Sequence, residues 1–323
     1  MLKLKTMKSL TLTHKIHYTL RIAIALCFIG HGSFGIITKA IWCNYFAVFG
    51  IGTKLAYQLM PWLGSFDILL GITMLVFPIR AIPAWLCVWG LVTALCRPLS
   101  GEPLAEFIER AGNFGVPFTL LVLSGGLTKS NLFSVINPDH PVDDKTMKRV
   151  FLCLKIIVFL LLAGHGWLNL IDKKGLLIQY TALGFSNPEK TALLVGLFEA
   201  SAAISVLIRP LRSLIFIFFI WKMTTELFYP HYEFFEWIER GGSYGALLAL
   251  WFAISPAHNP KHLTQNENRG TLNSGSARNA GAWTLHVVSN LNFQTFRFVR
   301  SILKSCILLF EFRDKRFAIS DSH

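Results

Sequence analysis

The sequence predicts an all-α polytopic membrane protein: two parallel four-helix repeats, about eight transmembrane helices, followed by a polar C-terminal tail. Three observations predict it. Hydrophobic residues make up 53% of the 323 positions and charged residues 15%, against about 25% charged in soluble domains. The apolar residues gather in runs rather than in alternation. A β-barrel needs alternating segments of about ten residues, and an open sheet edge cannot be satisfied in lipid, so the runs are expected as helices. Finally, the pattern of the first half returns in the second.

Taken in order, the apolar runs of the first half are 22–38, 66–78, 82–95 and 116–126; those of the second are 150–171, 192–207, 214–228 and 246–254. Several fall short of the roughly 20 residues needed to span, so moderately polar neighbours must complete them. The basic start and first apolar run resemble a signal peptide. The same segment recurs deep in the chain, however, so it is expected as the first transmembrane helix. Arg21 stands ten positions before the histidine of Gly30-His31-Gly32, as Lys155 does before that of Gly164-His165-Gly166, an offset of 134. Gly64, Asp67, Pro78, Arg80, Trp89 and Thr93 match Gly196, Glu199, Pro210, Arg212, Trp221 and Thr225 at 132. Glu106-Phe107-Ile108-Glu109-Arg110 matches Glu236-Trp237-Ile238-Glu239-Arg240 at 130. A fixed offset with two small deletions reads as tandem duplication. The expected units are a first repeat at 16–127, a linker at 128–149, a second repeat at 150–255 and a tail at 256–323. In the tail, 257–282 reads as disordered and 293–317 as an interfacial amphipathic helix.

The net charge of +13 does not indicate nucleic acid, because the basic residues flank apolar runs, where they suit cytoplasmic loops and anionic lipid. Lys3, Lys5, Lys8, Lys15, Arg21, Arg80, Lys129, Lys145, Lys148, Arg149, Arg209 and Arg212 fall on one side, against Lys39, Lys54, Arg97, Arg110, Lys173, Lys174, Lys190 and Arg240 on the other. Both termini are therefore expected in the cytoplasm. An even number of helices per repeat makes the two repeats parallel. None of the six cysteines forms a C-x-x-C pair, so no dithiol or zinc site is expected. Cys43 and Cys96 lie near the same face, and a disulfide between them stays open.

This topology brings His31, Asp67, Glu109 and Arg110 together in the outer half of the first four-helix unit, and His165, Glu199, Glu239 and Arg240 in that of the second. These eight are the candidate ligand-binding residues; no catalytic residue and no metal ligand is assigned. Ionisable groups inside a membrane mark sites or proton paths. Each also has a plainer role. Glycines beside a histidine let helices approach, acids suit a helix start, and Glu106 and Arg110 form an i,i+4 pair. The duplicate keeps the whole set, but a structural ion network and a working site both remain open.

Arg21, Gly30-His31-Gly32, Asp67 and Glu109-Arg110-Ala111-Gly112-Asn113 together resemble the DoxX-like membrane proteins. The resemblance covers about 16–127 and 150–255 and departs where Ser243 replaces Asn113 and Glu199 replaces Asp67. It implies a four-helix membrane bundle in each repeat, with relatives that include a quinone-linked subunit of a thiosulfate oxidoreductase. The expected location is a bacterial inner membrane. Three functions follow as alternatives: a redox-linked subunit binding a quinone and served by a soluble oxidoreductase, a transporter or small-ligand binding protein, and a structural or assembly protein.

Overall fold

The structure is a computed structural model, described here for residues 10–228 and 234–254. The expected disordered stretch and amphipathic helix of the tail lie outside the described residues. The first half of the chain forms α1 (Leu12–Ile36), α2 (Trp42–Ala47), α3 (Thr53–Val76), α4 (Ala81–Leu99), α5 (Leu104–Glu109) and α6 (Ala111–Leu123). The second forms α7 (Asp144–Leu170), α8 (Lys174–Ala182), α9 (Pro188–Ile208), α10 (Arg212–Thr225), α11 (Phe234–Glu239) and α12 (Gly241–Ala253). Among the described residues there is no strand beyond a single bridge between Ile79 and Val135.

Capping chemistry sets the helix starts. Thr11 accepts a hydrogen bond from the His14 amide, Asp143 from Thr146, and Asn187 from Lys190 ahead of Pro188. Helices α1 and α7 thus begin in polar sequence, well before their apolar runs. Helix α7 starts inside the stretch expected as a linker. The rest of that stretch folds back on the α3–α4 turn, where the Ile136 amide donates to the Pro78 carbonyl at 2.7 Å and the Arg80 amide to Ser134 at 3.1 Å.

Five helices, α1, α3, α4, α7 and α9, are long and apolar enough to cross a membrane. Helices α6, α10 and α12 have 13, 14 and 13 residues, about 20 Å at 1.5 Å per residue. Two of them are short because the chain breaks at Arg110 and again at Arg240, each held outside the helical region between two helices. The exterior is apolar: Trp62, Val76 and Ile208 are each more than 75% exposed. The interior holds Asp67, Glu106, Glu109, His165, Glu199 and Lys222, all buried. Greasy outside and charged inside is the distribution of a chain solvated by hydrocarbon.

Helix α1 packs on α3 of its own half and on α11 and α12 of the other; α7 packs likewise on α9 and on α5 and α6. Helices α6 and α12 cross where Gly112 meets Gly242; a methyl on Gly112 would stand 2.8 Å from the Gly242 carbonyl carbon. One apolar core, including Leu20, Ile24, Leu120, Leu154 and Leu250, runs through both halves. Cys43 and Cys96 are both free thiols, not a disulfide.

Candidate functional site

Each Gly-His-Gly triplet uses its two glycines in two directions. A side chain on Gly32 would overlap the Gly64 carbonyl of α3, and one on Gly30 would overlap the backbone of Glu239 at the end of α11. In the second half, Gly166 admits α9 at Ala200, and Gly164 admits the backbone of Glu109 at the end of α5. Each histidine is therefore clasped by an acid-bearing helix of its own half and a glutamate-bearing helix of the other.

In the first site, His31 Nδ1–H donates to Asp67 Oδ2 at 2.8 Å, and the Trp89 indole N–H donates to the same oxygen at 3.3 Å. The Trp42 ring stands against the imidazole, with centroids 4.6 Å apart. Asp67 is 1% exposed, and its other oxygen, Oδ1, has no hydrogen-bond partner among the described residues.

The second site is closed by protein groups. His165 Nδ1–H donates to Glu199 Oε2 at 2.5 Å. Asn169 donates to the same oxygen at 3.4 Å and accepts from the Tyr180 hydroxyl at 2.6 Å. The Lys222 ammonium lies 3.1 Å from Glu199 Oε1, an ion pair whose angle falls short of a hydrogen bond. Lys222 is 2% exposed and Glu199 fully buried, so neither is screened by water.

Between the sites lies a charge cluster. Arg240 donates to Glu109 Oε1 at 2.6 Å and pairs with Glu226 at 3.0 Å. Arg110 donates to Glu106 at 2.6 Å and lies 3.4 Å from Glu109. Lys39 reaches Glu236 and Lys173 reaches Glu106, both at 2.5 Å, so each lysine pairs with a glutamate of the other half. Arg97 donates to Glu102 at 3.0 Å, and the Tyr45 hydroxyl donates there too. Burial pushes the Glu106 carboxyl up, but Arg110, Lys173 and Arg97 outweigh it and hold it at about 2. Glu236 is likewise held low by Arg240 and Lys39 against burial. Burial raises the Tyr45 hydroxyl, which stays protonated and able to donate to Glu102.

A cavity of about 370 Å³ opens beside the first site, lined by His31, Trp42, Tyr45, Phe46, Trp89, Arg97, Arg110, Asn113 and Glu239 among others. A more polar cavity of about 350 Å³ shares Trp42, Tyr45, Arg97, Arg110 and Glu239 with it and continues to Lys39, Glu106, Lys173 and Arg240. The first cavity therefore has aromatic walls and a charged mouth. At the corresponding positions of the second half the protein bonds to itself: Gln179 donates to the Thr225 carbonyl at 2.7 Å, and Tyr180 bonds Asn169.

All eight expected residues are brought into one connected region, but not grouped as expected. His31 meets Asp67, and His165 meets Glu199. The glutamates change places: Glu239 stands by the helix of His31, and Glu109 by that of His165, because the first glycine of each triplet faces the other half. Arg110 lines the first cavity, while Arg240 binds Glu109. Sequence reasoning missed Lys222, although a signal was present: it interrupts an apolar run at the position matching Gly90, 132 residues earlier. It also missed the lysine pairs, although Lys39 and Lys173 are 134 apart and Glu106 and Glu236 are 130 apart. Trp42 carried no such mark, since its counterpart is Leu176. Among the described residues no group of three His, Cys, Asp or Glu side chains is arranged to hold a metal ion.

No family model, curated protein or solved structure matches this chain. The fold and site define it only as a helical protein with several membrane-suited apolar helices.

Proposed function

We propose that this is an intramembrane ligand-binding protein with an open cleft at its first histidine site, built by tandem duplication of a DoxX-like four-helix unit at 16–127 and 150–255, joined through 128–149. The observation that carries the binding reading is the first cavity. It combines flat aromatic walls with a few convergent polar groups, the usual makeup of a small-molecule site. The reciprocal Lys39–Glu236 and Lys173–Glu106 pairs support the duplication, because a two-fold exchange generates one from the other. Basic Lys15, Arg80, Lys145 and Arg212 at the far ends of the helices support cytoplasmic termini, with the cleft opening outward from a bacterial inner membrane.

The ligand is an amphipathic molecule with a flat apolar body and a polar head. A quinone is the redox version of this reading. Its ring would stack on Trp42, its carbonyls would accept from Arg110 or Asn113, and His31, oriented by Asp67, would exchange a proton. Electrons would then come from a separate soluble oxidoreductase. A second reading, structural, applies to the charge cluster: its cross-half pairs tie the halves together.

Binding of a short-chain benzoquinone to the full chain in lipid nanodiscs tests the cleft. The expected result is measurable affinity that weakens about tenfold in Trp42→Ala, the scale of one lost aromatic contact. Equal affinity in wild type and Trp42→Ala would overturn the assignment of the cleft.

A further inference from the structure

We infer that the head of the ligand is a cation: the first cleft takes a protonated organic amine, its ammonium at Glu239 and its apolar body between the Trp42, Tyr45 and Trp89 rings. This rests on the cleft reading above and adds the charge of the ligand.

The argument is a comparison of corresponding groups. At the second site each buried acid has a protein cation: Lys222 stands 3.1 Å from Glu199, and Arg240 bonds Glu109 at 2.6 Å. At the first site the corresponding acids have no direct lysine or arginine partner among the described residues. Asp67 Oδ1 is buried without a hydrogen-bond partner among the described residues. Glu239 borders both cavities; Arg110 and His31 are near enough to feel its charge, but neither makes a hydrogen bond or close ion pair with it among the described residues.

The arginines on the cavity wall do not make up the difference. Arg97 is engaged by Glu102 and Arg110 by Glu106. Across the described cluster, the cations Lys39, Arg97, Arg110, Lys173 and Arg240 face six carboxylates: Glu102, Glu106, Glu109, Glu226, Glu236 and Glu239. Of these six, Glu239 alone makes no ion pair with the five cations among the described residues, and it borders the open cleft. A carboxylate without a direct ion pair near the hydrocarbon is costly, and a bound cation lowers that cost. Aromatic rings around it add attraction through their faces. Lys222 shows what such an occupant does at the second site, since it is an ammonium on an apolar stem, tethered to the chain and seated on Glu199.

Calorimetry on the full chain in phosphatidylcholine nanodiscs, which carry no net charge, tests this with matched probes: phenethylamine, phenylethanol, phenylacetate and a short-chain benzoquinone. The amine is expected to bind at least about tenfold tighter than the alcohol, with phenylacetate weakest. Glu239→Gln is expected to erase the preference for the amine. If the alcohol or benzoquinone binds as tightly as the amine, or the preference survives Glu239→Gln, the cationic head is overturned and the cleft stands. If none of the four binds, the cleft falls as well. Should Glu239→Gln fail to fold, the four probes on the wild-type chain still decide.

Discussion

The two histidine sites share a frame and differ in how the buried acid is satisfied. Asp67 receives a histidine and an indole N–H from the cavity wall and keeps one oxygen without a hydrogen-bond partner among the described residues. Glu199 receives a histidine, an amide and an ammonium, and the protein packs against it. One position accounts for much of this. Gly90 lets α4 lie against α6, where a methyl would stand 2.8 Å from the Asn113 carbonyl oxygen. At the matching place α10 carries Lys222, which reaches Glu199 instead. Within one fold, a glycine in one half leaves an acid to its surroundings, and a lysine in the other supplies an internal counterion.

The largest effect should come from breaking the closed site. Lys222→Ala leaves Glu199 buried with only His165 and Asn169 as donors, and a loss of about 3 kcal/mol is expected in reversible unfolding. Removing both charges, with Lys222→Met and Glu199→Gln together, should recover most of that loss. In the open site, Trp89→Phe removes one hydrogen bond and should cost about 1 kcal/mol. If the two sites lose equally, the contrast between them is wrong.

Acid sharpens the comparison at the cluster. Glu106 is held at about 2, below the ordinary 4.5, so its contribution to stability is complete above pH 4.5 and is lost as pH falls toward 2. Thermal midpoints should therefore fall below pH 4.5, and Glu106→Gln should flatten that fall. Glu236 shifts in the same direction and should steepen the wild-type curve over the same window.

The smallest effect concerns a single cross-half pair. Lys39 and Glu236 are partly buried, at 27% and 13% side-chain exposure, so Lys39→Glu should cost about 1 kcal/mol and the swap Lys39→Glu with Glu236→Lys should restore part of it. No coupling between the two would argue against the exchange of α11 between halves.

Much of this was legible in the sequence, and the reasons for the rest are physical. Helical membrane character followed from hydropathy, because lipid forbids an unpaired backbone. The pairing of His31 with Asp67 and of His165 with Glu199 followed from depth along adjacent helices. Depth alone cannot say which neighbour a helix faces, so Glu109 and Glu239 were grouped with the wrong histidines. Apolar runs also misjudge helix ends: α7 starts at Asp144 because Asp143 caps it, not because hydropathy rises there. The breaks at Arg110 and Arg240 fall at arginines whose side chains pair with buried glutamates, contacts that hydropathy does not show. Trp42 was invisible because its role depends on the cavity it walls.

The stoichiometry of ring-ligand binding to the full chain in nanodiscs tests the asymmetry most directly. One site per chain is predicted, weakened by Trp42→Ala and left unchanged by Tyr180→Phe. Two equivalent sites per chain, or a single site that responds to Tyr180→Phe and not to Trp42→Ala, would contradict the account.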